Sequence, residues 1–117
     1  MATLELVAGS ILSHDGVATT ADDDTSFELT DAGLGMGALE RGSNWSGPWI
    51  QVAKYPVDRV GRHHTFIVRR GSSWVAEHSG TTNPTIVNGQ IVYGEIELED
   101  GDVIEFSNGT KLRFSAP

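Results

Sequence analysis

The sequence predicts an all-β fold on three observations: Asn-Gly dipeptides set between apolar runs, strict alternation of apolar and polar side chains, and no helical apolar period sustained over three turns. Asn88-Gly89 divides Thr85-Ile86-Val87 from Ile91-Val92-Tyr93. That dipeptide suits a type I′ hairpin turn, whose two central residues both need positive φ. Asn108-Gly109 is expected to do the same between Val103–Phe106 and Lys111–Phe114. There Ile104 and Phe106 alternate with Glu105, and Leu112 and Phe114 alternate with Arg113, so one face enters a core and the other meets water. Many short strands with regularly spaced turns point to a sandwich or a barrel.

The other elements follow the same signals. Leu4–Val7, Phe27–Leu29, Met36–Leu39 and Trp49–Val52 read as strands. Thr65–Val68 and Trp74–Ala76 read as two more, joined by an Arg70-Gly71-Ser72-Ser73 turn. Glu95–Leu98 alternates again, and Glu99-Asp100-Gly101-Asp102 is a polar turn. Thr19–Ser26, with three consecutive aspartates, reads as a solvated loop. Trp74 is expected in the core, whereas Trp45 and Trp49, on either side of Ser46-Gly47-Pro48, suit either partial burial or a groove wall.

A length of 117 residues without repeat or linker predicts one domain over 1–117. The absence of cysteine excludes disulfides, thiolate metal sites and a Cys nucleophile. The first residues lack the pattern of a secretory signal, and no apolar run approaches a membrane span, so a cytoplasmic protein is expected. Asn44-Trp45-Ser46 and Asn108-Gly109-Thr110 are then chance matches to a glycosylation triplet. A net charge of −8 argues against sequence-independent nucleic-acid binding. The charge is unevenly spread: residues 1–40 hold eight acids and no Lys or Arg, whereas Arg41, Lys54, Arg59, Arg62, Arg69 and Arg70 crowd into 41–70 against Asp58 alone. These bases are either solvated surface residues or part of a local anion site.

An enzyme is not expected, and no cofactor, metal or catalytic residue is assigned. Gly33-Leu34-Gly35-Met36-Gly37 has Ala38 where a dinucleotide-binding turn needs its third glycine, and no helix pattern follows. His63 and His64 are adjacent on a strand-like segment, so their side chains point to opposite faces and do not readily share an ion.

Three clusters fall where strands end: Glu40-Arg41-Gly42-Ser43, Gly61-Arg62-His63-His64, and Gly80-Thr81-Thr82-Asn83-Pro84-Thr85. Loops from distant positions gather at one end of a sandwich. Together these three offer guanidinium forks, hydroxyls, an amide and glycine-rich backbone, the groups that bind phosphate.

In order and spacing, the Gly61–Ile67 run, the run from Gly80 to Gly89 and the run from Leu98 to Ile104 resemble the forkhead-associated (FHA) domain family. The resemblance implies an antiparallel β-sandwich of about eleven strands that recognises phosphothreonine in an extended peptide. Arg41 takes the place of the family's phosphate-binding arginine, and Arg62 that of a residue that contacts the peptide. Thr82 matches a hydroxyl residue near the phosphate, Asn83 the asparagine that holds the peptide backbone, and His64 a structural histidine. Three positions depart from the pattern. Gly61 replaces a phosphate-binding serine, Glu40 puts a carboxylate beside the anion site, and Pro84 replaces a glycine and removes a backbone N–H. Ser43 or Ser46 could supply the missing hydroxyl. The expected partner is a phosphothreonine-containing protein or peptide, with neither nucleic acid nor membrane. The alternative is a phosphate-independent interaction or assembly module whose anion site has decayed.

Overall fold

The computed structural model describes residues 1–19, 25–54, 59–79 and 83–117. Among them lie thirteen strands: β1 (Thr3–Ala8), β2 (Ser13–His14), β3 (Val17–Ala18), β4 (Ser26–Glu28), β5 (Leu34–Gly37), β6 (Trp49–Gln51), β7 (Thr65–Arg70), β8 (Ser73–His78), β9 (Thr85–Val87), β10 (Gln90–Val92), β11 (Glu95–Leu98), β12 (Val103–Glu105) and β13 (Lys111–Ser115). They form a six-stranded sheet, β10-β9-β12-β13-β1-β4, and a seven-stranded sheet, β11-β8-β7-β5-β6-β2-β3. The inner faces pack as a sandwich. Leu4, Leu6, Val87, Ile104, Leu112 and Phe114 from one sheet share a single buried cluster with Leu34, Met36, Ile50, Ile67, Ala76 and Leu98 from the other. The expected all-β sandwich is therefore present.

Its pairing is not wholly antiparallel. β5 and β6 run parallel, with Met36 opposite Ile50. A parallel pair needs a crossover, and here residues 38–48 supply it. The count also exceeds eleven, and two of the strands, β2 and β3, are two-residue pieces of one short hairpin.

The Asn88-Gly89 turn has the expected form, with φ of 52° and 79° and Val87 paired to Gln90. Asn88 also reaches beyond its own turn. Its Oδ1 accepts the Val103 N–H at 2.9 Å and its Nδ2 donates to Asp102 Oδ1 at 2.7 Å. Asp102 Oδ2 in turn accepts the Glu99 N–H at 2.8 Å, which ties the Asp-Gly-Asp turn to the Asn-Gly turn.

Asn108-Gly109 behaves differently. Glu105 pairs with Lys111 and Gly109 N–H donates to Phe106 C=O at 3.0 Å, so the loop has three residues, and only Gly109 has positive φ (88°). This is a type I turn closed by a glycine bulge. Asn108 is thereby released to donate from Nδ2 to the Val52 carbonyl at 2.9 Å.

The strand expected over Met36–Leu39 begins earlier, at Leu34, and is buried on both faces. Leu34 and Met36 point into the core, while Gly35 lies beneath Trp49 and Phe66 on the outer face; a Cβ there would come 2.6 Å from the Trp49 ring. Trp49 is thus buried outside the main core, Trp45 packs on Phe66 with ring centroids 4.8 Å apart, and Trp74 is only partly buried against the core's edge. Part of the loop expected over Thr19–Ser26 lies outside the described residues.

Candidate functional site

The 38–48 crossover is held from below. Trp49 Nε1 donates to the Leu39 carbonyl at 2.8 Å, Gln51 Nε2 to the Ala38 carbonyl at 3.1 Å, and Trp45 Nε1 to the Pro48 carbonyl at 2.8 Å. The segment before β7 runs alongside it. Ala38 N–H donates to Gly61 C=O at 2.9 Å, and Gly37 lets the two backbones meet, since a Cβ there would sit 2.1 Å from the Arg62 carbonyl oxygen.

Two histidines fix the geometry in opposite directions. His64 is fully buried. Its Nδ1 accepts the Gly61 N–H at 2.9 Å, which places the proton of the neutral ring on Nε2, where it is shared with the Pro84 carbonyl at 3.1 Å. Burial lowers its pKa from 6.5 to about 4, against the raising effect of the Pro84 bond and with a further lowering by His78. A neutral brace therefore joins the loop before β7 to the loop before β9.

His63 turns outward. Its ring packs edge-on against Trp49 at 5.2 Å, and Nε2 lies 3.0 Å from the amide nitrogen and 2.9 Å from the carbonyl oxygen of Ser43. The two imidazoles thus serve different sides of the chain, and among the described residues no group of three or more His, Cys, Asp or Glu side chains could hold a metal.

These contacts bring Ser43 and Arg62 into one open groove, together with Leu39, His63 and Ser79. Ser43 Oγ makes no hydrogen bond among the described residues, so its hydroxyl is available to a ligand. Arg41 is not in that groove. Its Cγ, Cδ and Nε lie over Gly16 in the β2–β3 turn, where a Cβ would meet them at 2.7, 2.9 and 2.1 Å. Asn83 is half-buried, one residue before the carbonyl that His64 holds. Thr82 lies outside the described residues. Glu40 is exposed on the crossover, its carbonyl accepting the Ser13 hydroxyl at 3.3 Å.

The bases of the middle segment divide accordingly. Arg69 pairs with Asp31 at 3.0 Å, and on the opposite, outer face of the sheet Arg70 pairs with Glu77 and, at 3.1 Å, with Glu95. Arg41 lies over Gly16, and Arg62 lines the groove. The reading of the residues did not single out His63 or Ser79 for the groove. His63 stands inside the Gly-Arg-His-His motif, which was the available signal.

A β-sandwich whose loops build a groove from Arg62, Ser43, His63 and Ser79 is a binding scaffold of the loop-presenting kind. A family model, the FHA domain, matches residues 48–107. That is just over half of the chain, which belongs to the FHA domain family. No curated protein matches it. Among solved structures it is similar to an FHA domain characterised for phosphothreonine-dependent interactions, with 22% identity, a TM-score of 0.65 and coverage of 99% of this chain and 96% of that one. It is similar also to the FHA domain of CT664 from Chlamydia trachomatis, at 16% identity and TM-score 0.66, covering 99% and 97%. EmbR of Mycobacterium tuberculosis, solved with a low-affinity phosphopeptide, matches at 20% identity and TM-score 0.66, covering 97% of this chain but 24% of that one. At these identities the likeness is one of fold.

Proposed function

We propose that this chain is a non-enzymatic interaction module that binds a phosphothreonine-containing peptide across the loops around Ser43, Arg62 and Asn83. One observation carries the reading: Ser43 and Arg62, from separate loops, line the same open groove. A guanidinium fork beside an available hydroxyl matches a phosphate monoester. Arg41 and Thr82 complete the set when the peptide is bound, Arg41 by swinging from Gly16 about its flexible stem, and Asn83 holds the peptide backbone. The module folds as one domain over 1–117 and serves a cytoplasmic signalling complex.

A phosphate-independent assembly module is the second reading, favoured by the position of Arg41 over Gly16 and by the missing hydroxyl at Gly61. Calorimetric titration with matched phosphorylated and unphosphorylated threonine peptides separates the two. Binding confined to the phosphorylated peptides supports the first, and equal binding of both supports the second.

A further inference from the structure

Of the four described edge strands, β3, β4, β10 and β11, three are blunted in the ways that keep sheet edges from pairing with other chains. β11 carries Glu95 and Glu97, β4 carries Glu28, and β3 has only two residues. β10 differs: Gln90-Ile91-Val92 holds no charge and no proline. The two-residue turn makes Val87 and Gln90 a pair that exchanges both backbone bonds, so alternation turns the N–H and C=O of Ile91 away from β9. Among the described residues no hydrogen bond reaches either group.

Apolar surface accompanies the open edge. Ile91 is 60% exposed, and Tyr93, on the connection to β11, is 63% exposed with its ring edge-on against His78. Register places Ile91 beside Ile86 on the outer face of the sheet, and Val103, two positions from Glu105, shares that face. The charges next to them come in opposed pairs, Lys111 with Glu105 at 3.9 Å and Arg113 with Glu5. Two cations against two anions leave this strip of β12, β13 and β1 neutral in a chain of net charge −8. It is where two copies meet with least repulsion.

We propose that β10 is a self-association edge: it pairs antiparallel with β10 of a second copy about a two-fold axis at Ile91, joining two six-stranded sheets into one of twelve. Pairing Ile91 with itself satisfies both of its outward backbone groups, because each copy donates one bond and accepts one. It also continues the Ile86–Ile91 row across the junction. The acidic Glu99–Asp102 turns stay apart. Each is tied to Asn88, three positions from Ile91, so the two Asn88 turns are separated by six strand positions, about 20 Å. That exceeds the screening length of about 8 Å. An unrelated strand would meet the backbone groups alone; the matched apolar row and the cancelled charges single out a second copy. With three residues in β10, the association is a weak one.

Sedimentation velocity of the full chain from about 10 µM to about 1 mM spans the affinities of a small interface. Wild type should move from monomer towards dimer across that range. Ile91→Lys sets like charges opposite each other and should weaken dimerisation by about tenfold or more. Val17→Lys, at a residue 67% exposed on β3, should follow wild type. Both positions are exposed, so all three proteins should melt alike. Cross-linking reads the register, since the chain has no cysteine of its own. Ile91→Cys places the two Cα atoms about 5.5 Å apart, within the span of a disulfide. Mild oxidation should therefore give a covalent dimer, whereas Val17→Cys should remain monomeric. A wild type that stays monomeric throughout, an Ile91→Lys variant that dimerises like wild type, or equal cross-linking at the two positions would each overturn the inference. None of these outcomes bears on the phosphothreonine reading.

Discussion

The Nδ1 of His64 accepts the backbone N–H of Gly61 at 2.9 Å, and through this bond a buried ring in the core fixes the loop that presents Arg62. The bond exists only while the ring is neutral. Protonation puts a hydrogen on Nδ1 facing an N–H in a fully buried site.

Stability should therefore fall in acid. Burial holds the folded-state pKa of His64 at about 4 against 6.5 in an exposed histidine, so between these values the unfolded chain binds more protons than the folded one. The stabilisation linked to His64 is complete above about pH 6.5 and is lost progressively as pH falls through about 4, to a total of about 3 kcal/mol. Urea denaturation across this range should show the decline. His64→Gln should be less stable near neutrality, by about 2–4 kcal/mol for the lost bonds and packing, and should show a flatter profile.

Gly37 is required by proximity. A methyl group there would lie 2.1 Å from the Arg62 carbonyl oxygen, a backbone atom that cannot rotate away. Gly37→Ala should cost about 3 kcal/mol or more and should weaken phosphopeptide binding by displacing Arg62. Gly94→Ala, where a Cβ meets nothing within 4 Å, should change stability by less than about 0.5 kcal/mol.

Asn88 is held in the left-handed region at φ 52° and makes two side-chain bonds to the Asp102–Val103 turn. Asn88→Gly keeps the backbone conformation and should lose about 1–2 kcal/mol. Asn88→Ala adds the left-handed penalty and should lose about 1 kcal/mol more. Thermal unfolding should rank them in that order, with peptide affinity unchanged in either.

Arg62→Ala should lower phosphopeptide affinity by about ten- to a hundredfold, as expected for losing charge-assisted bonds worth about 1.5–3 kcal/mol. Its exposed position predicts little change in melting temperature. Arg41→Ala should weaken binding comparably if the side chain leaves Gly16 for the phosphate, and titration of both variants with the same peptide measures the difference.

Local chemistry was legible in the sequence, and tertiary cover was not. The Asn88-Gly89 hairpin, the β7–β8 turn and the alternation of β12 and β13 depend on neighbours in the chain. The β2–β3 hairpin carries no periodic signal, because it is held by backbone pairing: β2 pairs with β6, and β3 with β2. The start of β5 was obscured because Gly35 has no apolar side chain of its own; rings from β6 and β7 bury it. Asn108-Gly109 shares its dipeptide with Asn88-Gly89 yet turns differently, since the Glu105–Lys111 register fixes a longer loop. At the site, Ser43 was one of two candidate hydroxyls beside Ser46, and the resemblance pointed to Arg62 and His64. It could not give the direction of Arg41, which depends on the path of the crossover. The alternation of a strand-like segment put the two histidines on different sides, and the structure has His64 in the core and His63 in the groove.

The most direct test is amide NMR mapping of one phosphothreonine peptide and its unphosphorylated twin on the isotope-labelled chain. Phosphate-dependent shifts concentrated at Ser43, Arg62, His63, Ser79 and Asn83, absent with the unphosphorylated peptide, are the predicted result. Identical shifts with both peptides, or shifts confined to a surface away from this groove, would contradict the account.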